Sequence, residues 1–126
     1  MEQILGKIIK NAQEKQFLQK ISTPEGLMKY FISEIIAPIA KEVMNINPSF
    51  YGVDKRSDET EIRVVDKKIL IKRKDNTLLF CQEIDNSWVV VRTVYFDNEI
   101  PELNINGERY KVTKPLLEEM VGICLV

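Results

Sequence analysis

Histidine is absent from this 126-residue chain. Without imidazole there is no Ser-His-Asp or Cys-His relay, no imidazole general base, and few of the ligand sets zinc ordinarily takes. Glycine is scarce and scattered, at positions 6, 26, 52, 107 and 122. Neither a GxGxxG turn nor a GxxxxGK phosphate loop can be drawn from those positions. Only two cysteines occur, Cys81 and Cys124, far apart and among apolar neighbours. They form no disulfide framework and no metal-type spacing, and read as small hydrophobes in a reducing, cytoplasmic setting.

Long hydrophobic runs are missing too. The longest, Ile35 to Ala40, contains Pro38 and is far too short to cross a bilayer. "MEQILGKIIKNAQEK" alternates apolar and polar residues too often for a signal-peptide core. The expectation is a protein neither secreted nor membrane-embedded. Eighteen basic residues against 19 acidic give a net charge of −1, so no global field draws the chain to polyanions. Alanine is rare while Ile, Lys, Asn and Glu abound, a bias common in AT-rich genomes that suggests a bacterial, phage or other mobile-element source.

Carboxylates could act without histidine, but none is well placed. The run Asp58, Glu59, Thr60, Glu61 has Lys55, Arg56 and Arg63 close by and lacks the spaced oxygens and glycine of a calcium loop. Glu118 and Glu119 are neighbours on a predicted helix, where successive side chains point about 100° apart. Cys81 stands in a predicted strand with no base beside it in sequence. No catalytic residue, cofactor or metal is therefore expected.

What is present is a change of period near residue 48. Ile4, Leu5, Ile8, Ile9 and Ala12 repeat at helical spacing and predict a first helix over about 2–20. Thr23-Pro24-Glu25 is an N-terminal capping sequence for a second helix, to about Met44. Its apolar face is broad, including Phe31, Ile32, Ile35, Ile36, Ile39 and Val43. Pro38 in its interior removes a backbone hydrogen bond and predicts a kink or a split near Glu34. "NINPSFYGVDKRSDET" reads as a loop. Strand-like runs then follow, "EIRVV", "KILIKR", "TLLFCQEI", "SWVVVRTVYF", "ELNI" and "ERYKV", joined at Asp66-Lys67, Asp75-Asn76, Asp85-Asn86 and Asn106-Gly107. Such pairs tolerate the positive φ of tight hairpins. Thr113 caps a short last helix. The predicted architecture is a single α+β domain over 1–126: two N-terminal helices, an antiparallel β-meander of four to six strands, and a short C-terminal helix.

Two surfaces are candidates for function. "KKILIKRK" holds Lys67, Lys68, Lys72, Arg73 and Lys74 with no acid, a possible nucleic-acid strip to which Lys7, Lys10 and Lys15 could add. A two-residue turn at Asp75-Asn76, however, sets Ile71 against Phe80 and Lys68 against Glu83, giving that lysine an internal partner worth about 0.2–1 kcal/mol. No aromatics interleave these cations as in single-strand binders. The other candidate is apolar. Uninterrupted alternation puts Trp88, Arg92 and Phe96 on one face of a long strand that is apolar on both sides. With Phe31, Ile35 and Ile39 of the second helix they are the candidate protein-interface residues, Trp and Arg being frequent anchors. The favoured reading is a small non-catalytic cytoplasmic module that binds another protein and can form a homodimer: a regulator, an inhibitor or immunity-type factor, or a chaperone-like accessory. The alternative is a nucleic-acid-associated protein using the basic strand.

Overall fold

The computed structural model describes residues 1–126. Helix α1 spans Glu2–Lys20, α2 Pro24–Tyr30 and α3 Ala37–Ile46, and a π-helical segment, Phe31–Ile36, joins α2 to α3. A 3-10 turn at Pro48–Phe50 leads into β1 (Tyr51–Lys55), β2 (Glu59–Val64), β3 (Lys67–Lys74), β4 (Thr77–Ile84), β5 (Ser87–Tyr95), β6 (Glu102–Ile105) and β7 (Glu108–Lys111). Helix α4, Lys114–Leu125, closes the chain. The strands form one seven-stranded antiparallel sheet in sequence order. The α+β class and the meander are as the sequence predicts, with one strand more than four to six. The extra strand is β1, inside the stretch that Asn, Pro, Gly and Ser mark as loop. Tyr51 and Val53 pair with Val64 and Ile62, so tertiary pairing overrides the turn-rich composition.

The predicted second helix is divided around Glu34, by the π turn that separates α2 from α3. At the end of the π turn the Ala37 N–H donates to Ile32 O, five residues back. Pro38 therefore falls in the first turn of α3, directly after the last i→i−5 bond, where the bonding register changes. Thr23 and Thr113 cap α2 and α4 as predicted, accepting from the amides of Gly26 and Leu116.

Residues opposite one another in an antiparallel ladder share a face, and the register sorts the sheet. Thr60, Ile62 and Val64 of β2, Ile69, Ile71 and Arg73 of β3, Leu78, Phe80 and Gln82 of β4, and Val94 and Leu103 of β5 and β6 lie on one side. The helices cover that side. The Phe31 and Phe80 rings meet edge to face at 5.2 Å, the Thr60 hydroxyl lies 3.4 Å from Met28 Sδ, and Gln82 Nε2 donates to Ile123 O at 2.8 Å. Glu25 pairs with Arg73. Ile21, Leu27, Phe31, Ile36, Leu117 and Met120 complete a single core with these strand residues.

Two backbone positions are held under constraint. A methyl on Gly26 would overlap the Lys20 carbonyl oxygen, so glycine is what lets α2 start close under the end of α1. The β2–β3 turn is Val65-Asp66, not Asp66-Lys67, since Val64 pairs with Lys67. It places Val65 at φ 59°, unfavourable for a β-branched residue. Hydrogen bonds hold it there: the Val65 N–H donates to Phe50 O at 2.6 Å, and Arg63 Nη1 donates to Val65 O at 3.3 Å and to Ser49 O at 2.9 Å. Val65→Gly is expected to stabilise the fold by about 1 kcal/mol, raising the melting temperature by roughly 3–5 °C. Gly26→Ala is expected to destabilise by about 1–3 kcal/mol. Thermal melts followed by circular dichroism check both.

Candidate functional site

The second face of the sheet carries no helix. Its rows run Arg63, Lys68, Glu83, Trp88; then Glu61, Leu70, Cys81, Val90; then Glu59, Lys72, Leu79, Thr93. Charges of both signs alternate around a small apolar centre. Lys68 Nζ lies 3.8 Å from Glu83, the pair predicted from the turn. Arg56 bonds Glu59 at 2.9 Å and Asp54 at 3.2 Å. The basic strand is thus divided. Lys68, Lys72 and Lys74 point to the open face, while Lys67 and Arg73 lie on the helix side, with Arg73 taken by Glu25.

A β-bulge decides where the aromatic candidates go. Phe80 pairs with Arg92 and Cys81 with Val90, so Val91 is an extra residue in β5. Such an insertion reverses the alternation beyond it. Trp88 and Val90 consequently face the open side, whereas Arg92 and Val94 face the helices. This corrects the single face expected for Trp88, Arg92 and Phe96. Arg92 is covered by α4, donating to Glu119 Oε1 at 3.2 Å and to Val91 O at 2.8 Å. Phe96 packs against the core, as does Ile39 of α3. Phe31 and Ile35 are buried, so they are core residues and not surface anchors. Of the six interface candidates, Trp88 alone is exposed, at 37%.

Trp88 has company that the alternation pattern did not single out. β5 pairs with β4 along its whole length but with β6 only at Thr93, Val94 and Tyr95. On the β6 side the ladder therefore stops at Thr93. From Ser87 to Val91 the strand shows an open edge to water, and Val89 (43% exposed), Val90 (50%) and Ile84 stand around it. The outer strands of the sheet are blunted differently. β7 carries Glu108, Arg109 and Lys111, with Arg109 bonded to Asp97 at 3.0 Å and lying 3.9 Å over the Tyr95 ring. β1 carries Gly52, Asp54 and Lys55. Charged edges discourage strand addition, and the β5 edge has no charge before Arg92. The signal was in the sequence: "SWVVVRTVYF" is far longer than its neighbour "ELNI".

A cleft of about 490 Å³ between α2 and the β1–β2 turn is lined by Glu25, Lys29, Arg56, Asp58, Glu59 and Arg73, several already paired with one another. No group of three His, Cys, Asp or Glu side chains has the geometry to hold a metal ion; Asp54, Glu59 and Glu61 gather around Arg56 instead. Both thiols are buried and free. Burial raises the Cys81 pKa, partly offset by Lys72, and raises that of Cys124 to about 11, with Cys81 adding to the shift and Arg92 opposing it. Comparison with protein-family models, with curated proteins and with solved structures returns no match.

Thiols protonated in the fold and ionised in the unfolded chain fix a sign. The folded chain holds the Cys124 proton from pH 9.0 up to about 11, so stability falls as pH rises through that window. Urea melts at pH 8 and pH 10 are expected to show it, and iodoacetamide at pH 8 is expected to label neither cysteine until the protein is unfolded.

Proposed function

We propose that the protein is a non-catalytic protein-binding module, and that its partner adds an extended segment to the open edge of β5. The observation that carries this reading is the mismatch between β5 and β6, which leaves Ser87–Val91 without a neighbouring strand on the β6 side, beside exposed Trp88, Val89 and Val90. Strand addition supplies affinity through backbone hydrogen bonds and specificity through alternate side chains. Trp88 and Val90 lie on one side of the edge and Val89 on the other, so a partner strand with apolar residues at alternate positions suits it. Trp88 stands beside the Lys68–Glu83 pair, giving an aromatic anchor with a polar rim.

A nucleic-acid role has less support. The cations of β3 are divided between two faces, and two of them have carboxylate partners. The remaining lysines on the open face could neutralise only about two phosphates, a salt slope near −1.8 on logarithmic axes. Two buried, unpaired thiols suit a reducing compartment, and we place the module in the cytoplasm. A regulator, an inhibitor or immunity-type factor and a chaperone-like accessory all work by such a contact.

Val90→Lys puts a charge on the open edge without touching the core. It is expected to weaken a partner captured from the native host by at least about 30-fold while leaving the melting temperature within ~2 °C. Hydrogen exchange is expected to slow at Ser87–Val91 on binding. Protection confined to other strands, or capture indifferent to Val90→Lys, would sink the reading.

A further inference from the structure

Helix α1 contributes no buried residue. It meets the rest of the molecule only near its C-terminal end, where Phe17 packs edge to face on Tyr30 at 5.2 Å and Leu18 touches the core. From Glu2 to Gln16 every residue is exposed, roughly 22 Å of helix standing free of the body. Its aliphatic stripe is open: Ile4 is 58% exposed, Leu5 53%, Ile8 59% and Ile9 47%. Helices of about this length are marginal in water without tertiary packing, and here Gly6 and three isoleucines lower the propensity further. The helix needs something to cover it.

We infer that the cover is the α1 helix of a second copy, packed antiparallel. The apolar positions are Met1, Ile4, Leu5, Ile8, Ile9 and Ala12, and this spacing is symmetric about the midpoint between Gly6 and Lys7. A two-fold axis there sets Met1 of one copy against Ala12 of the other, Ile4 against Ile9, and Leu5 against Ile8, with no polar residue opposite an apolar one. A two-fold interface must be self-complementary in this way. Parallel in-register pairing is less favourable, because Lys15 falls within about 60° of the stripe's centre at 100° per residue and would meet its own copy. In the antiparallel pair the two Lys15 residues lie at opposite ends, about 25 Å apart along the axis. The two bodies hang from opposite ends about 30 Å apart, so they do not collide. The stripe offers roughly 600 Å² of apolar surface on each copy, and the flanking polar side chains bring it near the ~800 Å² per partner of a stable interface. A lipid surface fits less well, since the stripe holds no aromatic residue and Glu2 flanks it.

This pairing leaves the β5 edge free and does not depend on it. Light scattering behind a sizing column is expected to give the mass of a dimer. Ile8→Glu, at a position with no contact in the monomer's core, is expected to raise the dissociation constant at least ~100-fold, with the β-sheet circular dichroism and the cooperative melt retained. Ala12→Cys alone is expected to give no disulfide-linked dimer, whereas an oxidised mixture of Leu5→Cys and Ile8→Cys chains is expected to cross-link. A monomer at about 100 μM, a dimer that survives Ile8→Glu, or ready cross-linking of Ala12→Cys would each overturn the proposal. So would binding to anionic phosphatidylserine vesicles by a chain that stays monomeric without them. Val90→Lys serves as the control that leaves the dimer intact.

Discussion

The Phe31–Phe80 contact is the joint on which the structure turns. Phe31 opens the π segment and Phe80 sits mid-sheet, and both are fully buried. Fixing one ring against the other orients the helical layer on the sheet and selects the face it covers. Because the sheet has seven strands and the packed helices are few, the same contact condemns the other face to water. That face survives exposure because its rows mix lysines, arginines and glutamates around a small apolar centre. One-sided coverage of a meander is thus the physical constraint from which the open surfaces follow.

The bulge at Phe80/Cys81 is the second determinant, and it works on the same strand pair. Without it, Trp88 would lie on the side of Arg92 and Val94, next to the α4 layer. With one residue inserted, Arg92 reaches Glu119 and the Val91 carbonyl while Trp88 turns outward. A single extra residue therefore separates a structural arginine from a surface tryptophan only four positions away. The π turn acts comparably in the helical layer. It lies directly before Pro38 and carries Phe31, Ile35 and Ile36 into the core.

Much of the fold was legible because its signals are local. The turn pairs Asp75-Asn76, Asp85-Asn86 and Asn106-Gly107 adopt positive φ at Asp75, Asp85, Asn86, Asn106 and Gly107, and they fix the register that brings Ile71 to Phe80 and Lys68 to Glu83. The caps at Thr23 and Thr113 are equally local. The candidate site was legible only in part. Trp88, an interface candidate from the sequence, is exposed, but Phe31 and Ile35 were indistinguishable from interface residues because a broad apolar helix face looks the same whether core or partner covers it. α1 shows the converse: its stripe reads as a core face, yet no layer remains to receive it.

What the amino-acid sequence determined by itself is the order of helices and hairpins and the pairing across the tightest turns. These depend on backbone propensity and on neighbours a few residues apart. Tertiary structure alone decided which sheet face is covered, that Val91 bulges, that β1 joins the sheet, and that α1 stands free. Each of those depends on how much apolar surface distant segments can jointly bury, a sum over the whole chain that no local pattern contains.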